Sequence, residues 1–167
     1  MSSAKREQLI DEAEGFREKG EAKAAIDVLH EYAEQNLDDT EVGLLLARLY
    51  DSIGRERDAI PYYQRVLEAD PSDAVLVDAG IGLGSSLRSL GEFEQAITVL
   101  ERVVERRPDN RAAETFLAMA RFNAGQQQEA FETVLRILAD SSSDQDIRAY
   151  NGALKFYAED IAATWTD

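Results

Sequence analysis

The chain has no cysteine, one histidine, one tryptophan and three prolines in 167 residues. Without thiols there is no disulfide framework and no thiolate metal site, a usage that fits a reducing cytosol. The lone imidazole, His30, has no second histidine to converge with, and catalysis or metal binding needs convergent groups. Long apolar runs are missing too. No stretch approaches the roughly 18 apolar residues of a membrane span. The opening Met1-Ser2-Ser3-Ala4-Lys5-Arg6-Glu7 lacks the apolar centre of a signal peptide. Basic residues are scarce, 18 against 33 acidic ones, for a net charge of −15 that is heaviest in the first 39 residues. Such a surface repels phosphate backbones and anionic lipid, so neither nucleic acid nor membrane is an expected partner. A cationic partner would be steered in; the alternative is that the acid only maintains solubility. The expectation is a soluble, cytoplasmic protein.

What is present is periodic. Four glycines are each followed at a fixed offset by alanine and a large apolar residue: Gly20 with Ala25-Ile26, Gly54 with Ala59-Ile60, Gly91 with Ala96-Ile97, Gly125 with Ala130-Phe131. The glycines are 34, 37 and 34 residues apart. Apolar residues recur at three- and four-residue steps on both sides of each. Leu46, Ala47, Tyr50 and Ile53 precede Gly54, and Ala59, Ile60, Tyr63, Val66 and Leu67 follow it. Each unit therefore reads as helix, tight turn, helix, with glycine supplying the left-handed residue that stops the first helix. Between units, Asp70-Pro71-Ser72-Asp73, Pro108-Asp109-Asn110 and Ser141-Ser142-Ser143-Asp144 combine breakers with N-cap residues. An isolated amphipathic hairpin cannot bury its own faces, so successive hairpins must stack.

The pattern resembles the tetratricopeptide repeat, whose signature runs aromatic-x2-Leu-Gly-x2-Tyr, then Gly, then Ala-x3-aromatic, then Ala and a closing Pro. The second unit fits best, with Leu46-Ala47-x2-Tyr50, Gly54, Ala59-x3-Tyr63 and Pro71. The third has Leu83-Gly84-x2-Leu87, Gly91, Ala96-x3-Leu100 and Pro108. Leu37 and Ser142 stand where proline is usual, and Arg121 takes an aromatic's place, with Phe122 the neighbour that could compensate. The resemblance implies one all-α domain over 1–167: a right-handed superhelical solenoid of antiparallel helix pairs, with units at about 5–38, 39–72, 73–109 and 110–143. A capping helix is expected over 144–166, with Ile147, Tyr150, Leu154, Tyr157, Ile161 and Trp165 along one stripe. Small stand-alone bacterial proteins of this family look similar in ending this way. An alternative use of that aromatic stripe is a dimer contact.

The third unit is three residues longer, the surplus falling near 74–79, almost one turn of helix. Its first helix holds Gly80, Gly82 and Gly84, each costing about 1 kcal/mol against alanine. Gly80 and Gly84 share a face where small residues let a partner helix approach. Gly82 either leaves room for a ligand or bends the helix. The run Gly80-Ile81-Gly82-Leu83-Gly84-Ser85 fails as a dinucleotide loop, having neither the spacing nor a preceding strand. Carboxylate pairs such as Glu12 with Glu14 lie on solvated faces where nothing separates their pKa values. No enzyme activity, cofactor or metal is expected.

By the resemblance, the first helix of each pair lines a concave face. That implies a peptide-binding groove of Leu44, Leu45, Arg48, Ile81, Ser85, Arg88, Phe116, Met119, Phe122 and Asn123. The implied role is a protein-interaction scaffold holding a peptide or helix with apolar anchors and a nearby carboxylate; the alternative is self-assembly through the C-terminal helix. Family members that clamp a chaperone's C-terminal carboxylate do so with Lys and Asn. Ile10, Glu14, Leu45, Asp78 and Gly82 stand at those places, which argues against that class. A further alternative is that Phe116, Met119 and Phe122 pack against the last helix, so that the chain fills its own trough.

Overall fold

The computed structural model describes residues 3–164, and these form ten helices with no strand among them. Four pairs follow the glycine spacing: α1 (Ser3–Glu18) with α2 (Ala22–Gln35), α3 (Thr40–Ser52) with α4 (Glu56–Glu68), α5 (Asp73–Ser89) with α6 (Phe93–Arg106), and α7 (Arg111–Asn123) with α8 (Gln127–Ser141). From α2 to α8 each helix packs on its predecessor, and α5 also touches α3 and α7.

The hairpin turns are built alike. Gly54 takes a φ of 72°, donates its N–H to the Asp51 carbonyl at 3.0 Å, and lets Arg55 N reach the Tyr50 carbonyl at 2.9 Å. That pair of bonds is the Schellman closure, which satisfies helix-end carbonyls only when the intervening residue is left-handed. The same two bonds close at Gly20, Gly91 and Gly125. Second helices of the pairs start without a side-chain cap, because the glycine turn already aims the chain. Of the first helices at unit junctions, α3 and α7 are capped by side chains, Asp39 accepting from Val42 N and Asn110 from Ala113 N, whereas α5 starts at Ser72 without such a bond.

Packing across the pairs explains the glycine run of α5. A Cβ on Gly84 would stand 2.5 Å from Leu100, and one on Gly80 or Gly82 would collide with Val103 or the Tyr63 ring. Gly80 and Gly84 thus admit α6, and Gly82 makes room for a side chain of the preceding pair, not for a ligand. Arg121, in the aromatic's place, bonds Glu101 at 2.8 Å and Glu129 at 2.6 Å. Carboxylates, not Phe122, compensate for the missing ring, and Phe122 stays exposed.

The C-terminal segment departs from the single helix expected over 144–166. It forms α9 (Gln145–Ala149) and α10 (Asn151–Tyr157). Tyr150 leaves the helical region at φ −105°, ψ 12°, and its N–H turns back to Ile147 O at 3.1 Å. The Asn151 amide then donates to the Ala139 carbonyl of α8, and Gly152 follows, a poor helix former. Beyond α10 the chain folds back, Ile161 N donating to Glu132 at 3.0 Å. Trp165 lies outside the described residues.

Between the first two pairs sits an ion-pair cluster. Asp39 takes two bonds from Arg6, at 2.5 and 2.8 Å, and one from the Tyr32 hydroxyl at 2.8 Å. The Arg6 guanidinium holds the Asp39 carboxyl down at about 2. A folded pKa below the unfolded value stabilises the fold while the carboxylate is ionised, and this contribution drains away as pH falls from about 4 toward 2. In acid titrations followed by circular dichroism, Asp39→Asn should lose the part of the pH 4-to-2 destabilisation due to this group, roughly 1–2 kcal/mol. A second expectation concerns glycine. Gly84→Ala should cost about 1 kcal/mol net, overpacking outweighing the helix gain. Gly15→Ala, with nothing within 4 Å, should add about 0.5–1 kcal/mol; urea melts of both variants decide it.

Candidate functional site

The ten residues expected to line the groove fall into four groups. Leu44 and Leu45 are corrected: both are buried in the core, because α3 is covered by neighbours on either side. Ile81 and Phe116 are partly buried against that core. Arg48 spends its charge on Asp78 of α5, and Ser85 is half-buried. The buried hydroxyl nearby is Ser86, which the sequence pattern did not single out. It donates to Asp51 at 2.7 Å, and Tyr63 donates to the same carboxylate at 2.9 Å. Burial pushes the Asp51 carboxyl above the ordinary range, against those two bonds, which pull it down. This stretch of the concave side is closed by its own polar contacts.

The other four residues come together. Arg88 of α5 and Met119, Phe122 and Asn123 of α7 border a cleft of about 320 Å³, whose remaining wall is Phe131 and Val134 of α8, with Ala118 and Ala130 between them. The lining is apolar except at one edge. There the Arg88 Nη1 donates to Asn123 at 3.2 Å, while its buried Nε has no hydrogen-bond partner. No carboxylate among the described residues pairs with Arg88, in a chain where acids outnumber bases.

Phe131 and Val134 were missed because their register marks them as core. Val134 matches Leu29, Tyr63 and Leu100, all buried, yet is 42% exposed; Phe131, matching Ile26 and Ile97, is 54% exposed. Leu138, the next residue on that ridge, is exposed as well. The cause lies in the terminal segment. α10 seats on α8 through Asn151 to the Ala139 carbonyl and Lys155 to Asp140, leaving the Phe131–Val134–Leu138 ridge open. Among the described residues, Met119 and Phe122 are therefore not covered by the last helix, and no described segment of the chain fills the trough. The sequence signal lay in Asn151-Gly152, which stands where α3, α5 and α7 carry Leu46-Ala47, Leu83-Gly84 and Leu117-Ala118.

No group of three or more His, Asp or Glu side chains among the described residues could hold a metal, and no described helix is long and apolar enough to cross a membrane. His30 is exposed on α2, beside Asp27, Glu31 and Glu34.

Comparisons with known proteins agree with this architecture. A family profile described as "Tetratrico peptide repeat" matches residues 43–161, and one described as "Tetratricopeptide repeat" matches residues 10–74. Superkiller protein 3 of Saccharomyces cerevisiae is 25% identical over 93 residues, 56% of this chain but only 6% of that protein's length. Among solved structures, MamA 41-end from Desulfovibrio magneticus RS-1 superposes with a TM-score of 0.72 at 19% identity, over 92% of this chain and 85% of that one. The MamA RS-1 ArsTM double mutant gives the same values. At that identity the likeness is one of fold, a right-handed solenoid of helix pairs.

The cleft's openness has a stability signature. Leu100→Ala should cost about 2–5 kcal/mol, as fully buried leucines do. Val134→Ala, at the matching place one unit later, should cost less than about 1 kcal/mol; paired denaturant melts distinguish them.

Proposed function

Because this chain belongs to the tetratricopeptide-repeat family, a family of protein-interaction scaffolds, we propose that it holds a segment of a partner protein in the cleft between α7 and α8, with Arg88 at its edge. The observation that carries this reading is the coincidence of an open apolar cleft with an arginine that no carboxylate among the described residues neutralises. Apolar area removed from water contributes about 25 cal/mol per Å², and the guanidinium adds direction by charge-assisted bonds to a carboxylate. The rest of the concave side is a poorer candidate: Arg48 is already paired and Asp51 already accepts two hydroxyl donors.

A second reading, self-assembly, rests on the exposed aromatic residues Tyr150, Phe156 and Tyr157 of the terminal segment. Against it stands the net charge of −15, which sets copies of the chain against one another at low salt.

One experiment separates the two. A photo-crosslinking amino acid placed at position 122 should capture a partner protein in the source cell, and Arg88→Glu or Met119→Glu should reduce the capture at least tenfold. Sedimentation velocity of the purified chain should give a concentration-independent monomer. Capture that both variants leave unchanged would refute the site, and a crosslinked product consisting of two copies of this chain would favour self-assembly.

A further inference from the structure

The repeat register says what shape of segment the cleft receives. In the first three units the second-helix ridge is buried once the next pair's first helix lies on it: Leu29 under α3, Tyr63 under α5, Leu100 under α7. Gly82 of α5 sits directly over Tyr63, and the matching residues of the other first helices are Leu45 and Phe116. One unit further on, that place belongs to Tyr150. Instead of covering Val134, Tyr150 is 69% exposed at the break between α9 and α10. The fourth ridge thus keeps the form of a seat for a helix while the chain's own candidate is broken and set aside on α8.

We propose that the occupant is an amphipathic helix of a partner protein, docking as the array's next first helix and carrying a carboxylate toward Arg88. This rests on the reading of the cleft given above and adds the partner's conformation and charge. Phe131, Val134 and Leu138 stand at i, i+3 and i+7, a ridge that fits the groove of a second helix. An extended peptide would find no backbone partners here, since the N–H and C=O groups of α7 and α8 are spent inside their own helices. The carboxylate follows from Arg88, which donates to the neutral Asn123 and whose Nε finds no hydrogen-bond partner among the described residues. A second copy docking head to tail is a poor fit. The face of α1 that would meet the ridge carries Gln8, Glu12 and Gly15, where α3 has Val42, Leu46 and Leu49.

The test uses the full chain and a fluorescent peptide with the sequence of residues 40–52, which as α3 covers the equivalent first ridge. A hydrocarbon staple through positions 48 and 52 locks it as a helix and leaves Glu41 and Asp51 as its charges. Anisotropy titration should show saturable binding, at least tenfold tighter than for the same peptide unstapled with Ala47→Pro. Val134→Glu and Arg88→Glu in the chain, each checked for native circular dichroism, should weaken it at least tenfold. A peptide carrying Glu41→Lys and Asp51→Lys should bind Arg88→Glu better than it binds the unaltered chain. If stapled and proline peptides bind alike and Val134→Glu weakens both, the helix is wrong and the cleft stands. If neither binds, both fall. Binding that Val134→Glu leaves intact, or that appears only in Tyr150→Ala, also overturns the proposal, the last because α9 would then be the natural occupant.

Discussion

Every level of this molecule follows from one constraint: a helical hairpin has two apolar faces and can bury only one of them against itself. The second face must be covered by the next hairpin, so stability is passed from unit to unit. The Schellman turns at the four glycines make this possible by fixing each pair in the same geometry, so that the ridge left by one unit matches the face offered by the next. Where the series stops, an apolar ridge is left over. The candidate site is that remainder, bordered by an arginine that pairs with no carboxylate among the described residues and bonds only the neutral Asn123 there.

Most of the fold was legible because it is written in spacings. The four glycines and their alanine pairs located each hairpin, and the three extra residues of the third unit appeared as a longer α5. The site was legible only in part. Arg88, Met119, Phe122 and Asn123 were placed by analogy of register and do converge. Leu44 and Leu45 came from the same register and are buried, because a first helix inside the array is covered by the pairs on both sides of it. Phe131 and Val134 were hidden for the opposite reason: their matches in the other units are buried or, at Ile60, partly buried, and the failure of the following helix exposes them. That failure turns on Tyr150, Asn151 and a hydrogen bond to the Ala139 carbonyl, a tertiary contact no periodicity encodes.

Two substitutions against the repeat pattern show how locally it can be repaired. Arg121, where a ring is usual, keeps its place by bonding Glu101 and Glu129, one on the preceding pair and one on its own. Gly82, which weakens α5 as a helix, makes room for the Tyr63 ring whose hydroxyl then reaches Asp51. In both cases a local propensity or packing loss is offset by a contact to another unit, so that the cost and the gain sit on different hairpins.

The two extremities of the array are chemically unlike, and this gives the solenoid a direction. At the front, Gln8 and Glu12 present water-loving side chains where an earlier hairpin would have to sit. At the back, Phe131, Val134 and Leu138 offer such a hairpin a dry seat. Duplication of a unit could therefore lengthen this chain after residue 143 with little adjustment, whereas an addition ahead of α1 would bury charge. The described array thus has a polar face at α1 and an apolar ridge at α8.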